Sequence, residues 1–123
     1  MLNIVSPSRY KLNRKHINEF VTGLFTKYDI NQDRVVNIVY VGKRKMKEIA
    51  STYKHEDVAL PVLAFPYVEE SKADNNHTFG EIILCYPQVI LLAAERSKKV
   101  DDMMNQLIEH GLRNIIVNAS TPL

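Results

Sequence analysis

The sequence predicts an α+β fold, a single-layer mixed β-sheet of about four strands with helices packed mainly on one side. Three observations lead there. Runs of strand length rich in β-branched residues alternate with stretches whose apolar residues recur at helical spacing. The elements follow the order strand, helix, strand, helix, strand, strand, helix, helix, so two strands succeed each other directly, unlike a strictly alternating parallel α/β chain. Val100 to Ile116 carries an apolar stripe of Val100, Met103, Met104, Leu107, Ile108, Leu112, Ile115 and Ile116. This stretch reads as a buried central helix with one interior histidine, His110, near the end of the stripe.

Leu2 to Val5 is a short apolar run closed by Ser6-Pro7-Ser8, compatible with an edge strand. From Lys11 to Tyr28, Ile17, Phe20, Val21, Leu24, Phe25 and Tyr28 repeat at helical spacing while the basic residues take other faces. Asp29 to Asp33 is turn chemistry, and Arg34 to Val41 is β-branched enough to be a mostly buried strand. Gly42 ends it, and Lys43 to Tyr53 reads as a short helix with Met46, Ile49, Ala50 and Tyr53 inward and a basic face outward. Pro61 and Pro66 mark Val58 to Tyr67 as an edge strand or one with a ladder gap at Pro61, because proline has no N–H to donate. Glu69 to Thr78 is polar and loop-like, Phe79 to Tyr86 is another strand, and Pro87 can open the helix Gln88 to Ser97 from its first turn. In the last helix, Asp101 and Asp102 suit the positive end of the helix dipole. Gly111 costs about 1 kcal/mol relative to alanine in a helix, which implies close approach of another backbone or of a substrate.

A chain of 123 residues is the size of one domain, 1–123, and can bury a core without disulfides or a structural metal. The net charge of +2 is too small to argue for nucleic acid, so local clustering of Lys and Arg must carry that argument. A lone cysteine, Cys85, excludes a disulfide framework and a cysteine-based zinc site and fits a cytoplasmic setting. The chain has neither a signal-peptide pattern nor an apolar run of membrane-spanning length, so no membrane partner is expected.

On spacing alone, His110 is a hydrogen-bonded core or surface histidine before it is a metal ligand. A metal-binding helix needs a second ligand at i+3 or i+4, and those positions hold Arg113 and Asn114. His16, His55 and His77 lie far off in sequence, and Cys85 late in a strand reads as a small apolar residue. Lys43, Arg44, Lys45 and Lys47, continued by Lys54, could hold a phosphate backbone, and equally form a solvated helix face. Tyr53 and Tyr67 could stack on bases, although such residues more often pack.

An ordered series of segments adds to this. Thr52-Tyr-Lys-His-Glu-Asp-Val-Ala-Leu-Pro-Val-Leu-Ala-Phe-Pro-Tyr67, then Phe79-Gly-Glu-Ile-Ile-Leu-Cys85, then Ala94-Glu95 and His110-Gly111, resembles the YbeY family of bacterial rRNA maturation endoribonucleases. The similarity runs from about Val35 onward with the segments in the family's order. That family has Thr-Tyr-Arg-Gly-Lys-Asp at the first segment and a helix bearing His-Gly-x-x-His-Leu-x-Gly-Tyr-Asp-His at the last.

The resemblance implies a zinc ion held by histidines and an arginine serving catalysis or RNA binding. Residue by residue, the first metal ligand is His110, the arginine position is the catalytic candidate Lys54, and the glycine before the acidic strand residue is Gly80. The second and third ligand positions fall on Asn114 and Ser120. Lysine keeps the charge at residue 54 but loses the planar fork that grips phosphate with two bonds. Departures thus gather at the chemistry, while the packing residues Val62, Leu63, Phe65, Ile82, Ile83 and Leu107 persist.

The expected function is a YbeY-like rRNA maturation endoribonuclease with weak or absent zinc, acting on rRNA with ribosomal proteins as further partners. RNA is expected on Lys43, Arg44, Lys45, Lys47 and Lys54. His77 could substitute for a missing ligand only if its loop folded over His110. One alternative is a non-cleaving RNA- or ribosome-binding protein. Another is a C-terminally shortened product of a longer chain.

Overall fold

A computed structural model describes residues 1–67 and 78–120, with side chains to residue 117. The predicted loop over 69–77, including His77, and the side chain of Ser120 lie outside the described residues. Eight elements follow in the predicted order: β1 (Leu2–Val5), α1 (Arg14–Lys27), β2 (Val35–Val41), α2 (Lys43–Lys54), β3 (Val62–Pro66), β4 (Thr78–Cys85), α3 (Tyr86–Glu95) and α4 (Val100–Ser120).

The strands form one sheet in the order β1-β2-β4-β3. β1, β2 and β4 are parallel, and β3 runs antiparallel to β4 on the outer edge. Both strands read as edge strands occupy the edges. Proline explains much of that placement: Pro66 stands in β3 opposite Gly80, and Pro61, just before β3, contributes only its carbonyl, which accepts from the Cys85 N–H at 3.0 Å.

Alternation along the strands divides the core between two faces. Val36, Ile38 and Tyr40 of β2 and Ile82 and Leu84 of β4 face α1, α3 and α4, where they join Ile17, Val21, Val89, Met103, Ile108 and Leu112. Leu63, Ile83 and Cys85 face the opposite way under Met46 and Ala50 of α2. Three helices therefore cover one face and one covers the other, the asymmetry expected from the sequence. Cys85 is fully buried and burial pushes its thiol pKa up, in keeping with its reading as a packing residue.

The two glycines near the site interlock α4 with β4. A Cβ at Gly111 would meet Ile82 Cγ2 at 3.1 Å, and a Cβ at Gly80 would meet Ile115 Cδ1 at 2.6 Å. Each glycine receives the other element's isoleucine. The close approach inferred for Gly111 is therefore to the side chain of Ile82.

Local chemistry sets the helix ends. The Asn13 side chain accepts from His16 N–H at 3.0 Å to cap α1, and Pro87 stands in the first turn of α3. Beyond α1, α2 and α3 the chain turns through left-handed residues that are not glycine, Asp29 (φ 55°), His55 (φ 56°) and Ser97 (φ 53°).

Two expectations need correction. His110 is exposed, not interior, because α4 is amphipathic and His110 falls on its outer face with Gln106, Arg113 and Asn114. Tyr53, read as part of the inward face of α2, is 65 % exposed, because it follows the buried Met46 and Ala50 out to the sheet's edge strand, where its ring meets Phe65 of β3.

Candidate functional site

A cleft of about 300 Å³ opens between β3 and α4. Its walls are Lys54 and Glu56 from the end of α2 and the turn after it, Leu60 and β3 residues Val62, Leu63 and Ala64, and His110, Gly111 and Asn114 of α4. Each wall has a local cause. The left-handed His55 ends α2 and swings the chain back, leaving Lys54 and Glu56 at the rim. The returning segment is tied to α3 by the Gln88 side-chain amide, which donates to the Ala59 carbonyl at 2.8 Å. Ala64 pairs with Ile82, and its small side chain on the edge strand leaves room beneath α4. The seating of Gly111 on Ile82 sets how closely α4 approaches that strand.

Three of the residues singled out from sequence, Lys54, His110 and Asn114, thus line one cleft. His110 and Asn114, one helical turn apart, share an exposed face with their side-chain nitrogens 3.4 Å apart. Whether the Asn114 amide donates to the imidazole depends on which ring nitrogen carries the proton. The cleft offers an ammonium, an imidazole and an amide as donors, with the Glu56 carboxylate beside them. Glu56 went unmarked in the sequence; its only signal was lying two residues after Lys54 in the segment that carried the resemblance.

The described residues do not match a zinc site. Such a site takes several His, Cys or carboxylate ligands converging at about 2.0–2.3 Å, and no three His, Cys, Asp or Glu side chains among the described residues converge to hold a metal ion. His110 has beside it an amide, which is a poor ligand for a borderline metal.

Lys43, Arg44, Lys45 and Lys47 are exposed on α2 away from its buried Met46. Part of their charge is compensated, since Lys45 lies 3.9 Å from Glu48 and Lys47 lies 3.8 Å from Asp57. Lys43, Arg44 and Lys45 occupy the first turn of α2, and that turn contains no acidic residue. Cations at the positive end of a helix oppose its dipole, so these three do not owe their place to helix stability.

Among the described residues the shortest ion pair lies elsewhere. Lys27 Nζ is 2.7 Å from Glu109 Oε2, and the Tyr28 hydroxyl donates to the same oxygen at 2.6 Å. Hydrogen bonds from Lys27 and Tyr28 hold the Glu109 carboxyl below its ordinary pKa. This cluster joins α1 to α4 and is a structural pin.

A family model described as Endoribonuclease YbeY matches residues 5–115. The chain belongs to the YbeY family. The match begins well before Val35, where the motif series starts, and it includes Lys54, His110 and Asn114 but not Ser120. Among curated YbeY endoribonucleases, the chain is 28% identical over 82 residues to that of Thermodesulfovibrio yellowstonii, covering 67% of this chain and 51% of the relative. It is 30% identical over 89 residues to that of an Azoarcus species, covering 70% and 35%. It is also 32% identical over 77 residues to that of a Janthinobacterium species, covering 63% and 49%. The chain thus spans about half or less of the length of these YbeY relatives. The solution structure of a Thermotoga maritima protein matches with a TM-score of 0.61 at 24% identity, covering 91% of this chain and 69% of that one, which is a likeness of fold. No helix among the described residues is long and apolar enough to cross a membrane.

Proposed function

We infer that the protein is an rRNA-processing factor of YbeY type, an endoribonuclease by descent, in which the β3–α4 cleft receives RNA and zinc binding is weak or absent. The observation that carries this reading is the convergence of Lys54, His110 and Asn114 on one cleft in a YbeY-family chain. Lys54 would place a point charge on a phosphate, and the basic first turn of α2 would hold the backbone further along. His110 would orient the strand by hydrogen bonding, helped by Asn114. The working place would be the cytoplasm, with rRNA and ribosomal proteins as partners. In the family's chemistry, zinc would supply an activated water. The described donors do not support that step, so nuclease activity is expected to be low. The same donor set favours a second reading, a YbeY-like RNA- or ribosome-binding protein that does not cleave.

Metal content of the purified protein, measured by elemental analysis after dialysis with His110→Ala as control, tests the weak-zinc reading. The expected result is far less than one zinc per chain in both proteins. Near one zinc per chain, lost in His110→Ala, would overturn it and put catalysis by hydrolysis first. The ligand correspondence has its own test in the paired substitutions Asn114→His and Ser120→His, which should create zinc affinity; a double variant that binds no better than wild type would show that Asn114 and Ser120 do not occupy the ligand positions.

A further inference from the structure

The outer side of α3 lacks the polar face of a surface helix. From Val89 to Ala94 it runs Val-Ile-Leu-Leu-Ala-Ala, and its one charged residue, Glu95, stands at the last position. Val89 and Ala93 are fully buried against the core. On the opposite side Pro87, Ile90, Leu91 and Ala94 follow the i, i+3, i+4, i+7 spacing of a second apolar stripe, with Ile90 41 % and Leu91 48 % exposed. A helix that is apolar on every side belongs in an interior, yet among the described residues this ridge stays open.

Positive charge rims the ridge at both ends. At its N-terminal end stands the first turn of α2, with Lys43 and Arg44 and no acidic residue. Burial raises the pKa of the Cys85 thiol at the N-cap of α3, and the nearby Lys43 ammonium is among the groups that oppose the rise. At the other end, the turn whose N–H groups close on the last carbonyls of α3 carries Arg96 and leads to Lys99. Lys43, Arg44, Arg96 and Lys99 make no ion pair among the described residues.

This rim discriminates between occupants. In a symmetric antiparallel pairing of two copies through α3, Arg96 and Lys99 of each would face Lys43 and Arg44 of the other, and like charges would oppose the contact. An anionic bilayer would suit those cations, but Glu95, four residues beyond Leu91 on the same side, would be pressed against its headgroups. A helix with an apolar stripe and acidic flanks meets the ridge along its length, sets carboxylates against the cations at both ends, and leaves Glu95 in water at the margin.

We propose that the outer ridge of α3 is a docking surface for a partner protein that presents an amphipathic helix with acidic flanks. None of the ridge residues lines the β3–α4 cleft, so this partner leaves the cleft open.

The probe is a labelled synthetic helix with leucine at i, i+3, i+4 and i+7 on one face and glutamate at both flanks, compared with the same helix carrying lysine in place of glutamate. Binding is followed by anisotropy for wild type, for Ile90→Gln and Leu91→Gln singly and together, and for Arg96→Ser combined with Lys99→Ser, with urea midpoints confirming folding. Wild type should bind the glutamate helix saturably and the lysine helix at least about tenfold more weakly. The Ile90→Gln, Leu91→Gln double variant should lose about tenfold in affinity for the glutamate helix. The Arg96→Ser, Lys99→Ser variant should bind it more weakly and with a shallower dependence on salt.

Failure of wild type to bind the glutamate helix, equal binding of the two helices, or unchanged affinity in the folded double variant would each overturn the proposal. Two further results would overturn it by assigning the ridge to another occupant: a wild-type dimer by light scattering that the double variant converts to monomer, or sedimentation with vesicles containing phosphatidylserine that the double variant abolishes.

Discussion

Replacing Gly80 by alanine tests the contact that seats α4 on the sheet and so sets the width of the cleft. The added Cβ would lie 2.6 Å from Ile115 Cδ1, 2.9 Å from Cγ2 and 3.0 Å from Cγ1, where carbon atoms in contact stand at about 3.5–4.0 Å. Rotating the outer bond of Ile115 moves only Cδ1, because both γ carbons are bonded directly to Cβ. Ile115 is fully buried and its branched χ1 is stiff in a helix, so α4 itself has to move outward. Overpacking of this kind costs about 1–3 kcal/mol. Against it stands about 0.4–1 kcal/mol gained from the lower entropy of the unfolded chain.

Overpacking wins, with a net loss of about 1–2 kcal/mol, or roughly 4–8 °C in Tm for a chain of this size. Urea denaturation of wild type, Gly80→Ala, Ile115→Ala and the double variant closes a double-mutant cycle. Ile115→Ala alone should cost about 2–5 kcal/mol through the cavity it leaves. In that background Gly80→Ala should be neutral or stabilising, because all three clashing carbons are gone. Additive costs would refute the reasoning and show that Ile115 does not limit residue 80. Since His110 and Asn114 ride on the same helix, Gly80→Ala should also weaken RNA binding at the cleft.

Further outcomes are expected elsewhere. His55→Gly should stabilise the protein by about 0.5–1 kcal/mol, because glycine takes the left-handed conformation at the end of α2 without the cost a Cβ brings; a lower urea midpoint would contradict this. The Tyr40 hydroxyl donates to Met104 Sδ at 2.9 Å and burial raises its pKa well above the ordinary 10.0. The unfolded chain therefore loses that proton first, so Tyr40's contribution to stability is complete below pH 10 and falls away as pH rises toward the folded-state value. Tyr40→Phe should shallow the alkaline limb of the stability profile, and an identical limb in the variant would count against it. Replacing Lys43, Arg44, Lys45 and Lys47 by alanine should weaken RNA binding and flatten its dependence on salt. An unchanged slope in log affinity against log salt would place the backbone contacts elsewhere.

The element order was readable because periodicity is a local signal. Ile17, Val21, Leu24 and Phe25 of α1 and Met103, Leu107, Ile108 and Leu112 of α4 are all buried as their spacing predicted. The edge positions of β1 and β3 followed from a short run and from proline chemistry. The candidate site was legible only in part. The resemblance picked out Lys54, His110 and Asn114, whereas Glu56 and the exposure of Tyr53 carried no distinguishing pattern.

The sequence by itself determined which residues turn inward along each helix and strand, since spacing of apolar groups acts over one or two turns, and it determined the family through an ordered series of segments. Only the tertiary structure decided how those elements meet. The reciprocal seating of Gly80 on Ile115 and of Gly111 on Ile82 depends on the register between α4 and β4, a long-range relation that no local pattern encodes. Exposure of Tyr53 has a similar origin: an apolar stripe gives a side chain's direction around its helix, but burial also requires enough structure beyond it, and Tyr53 meets the edge strand β3 at Phe65 and stays 65 % exposed.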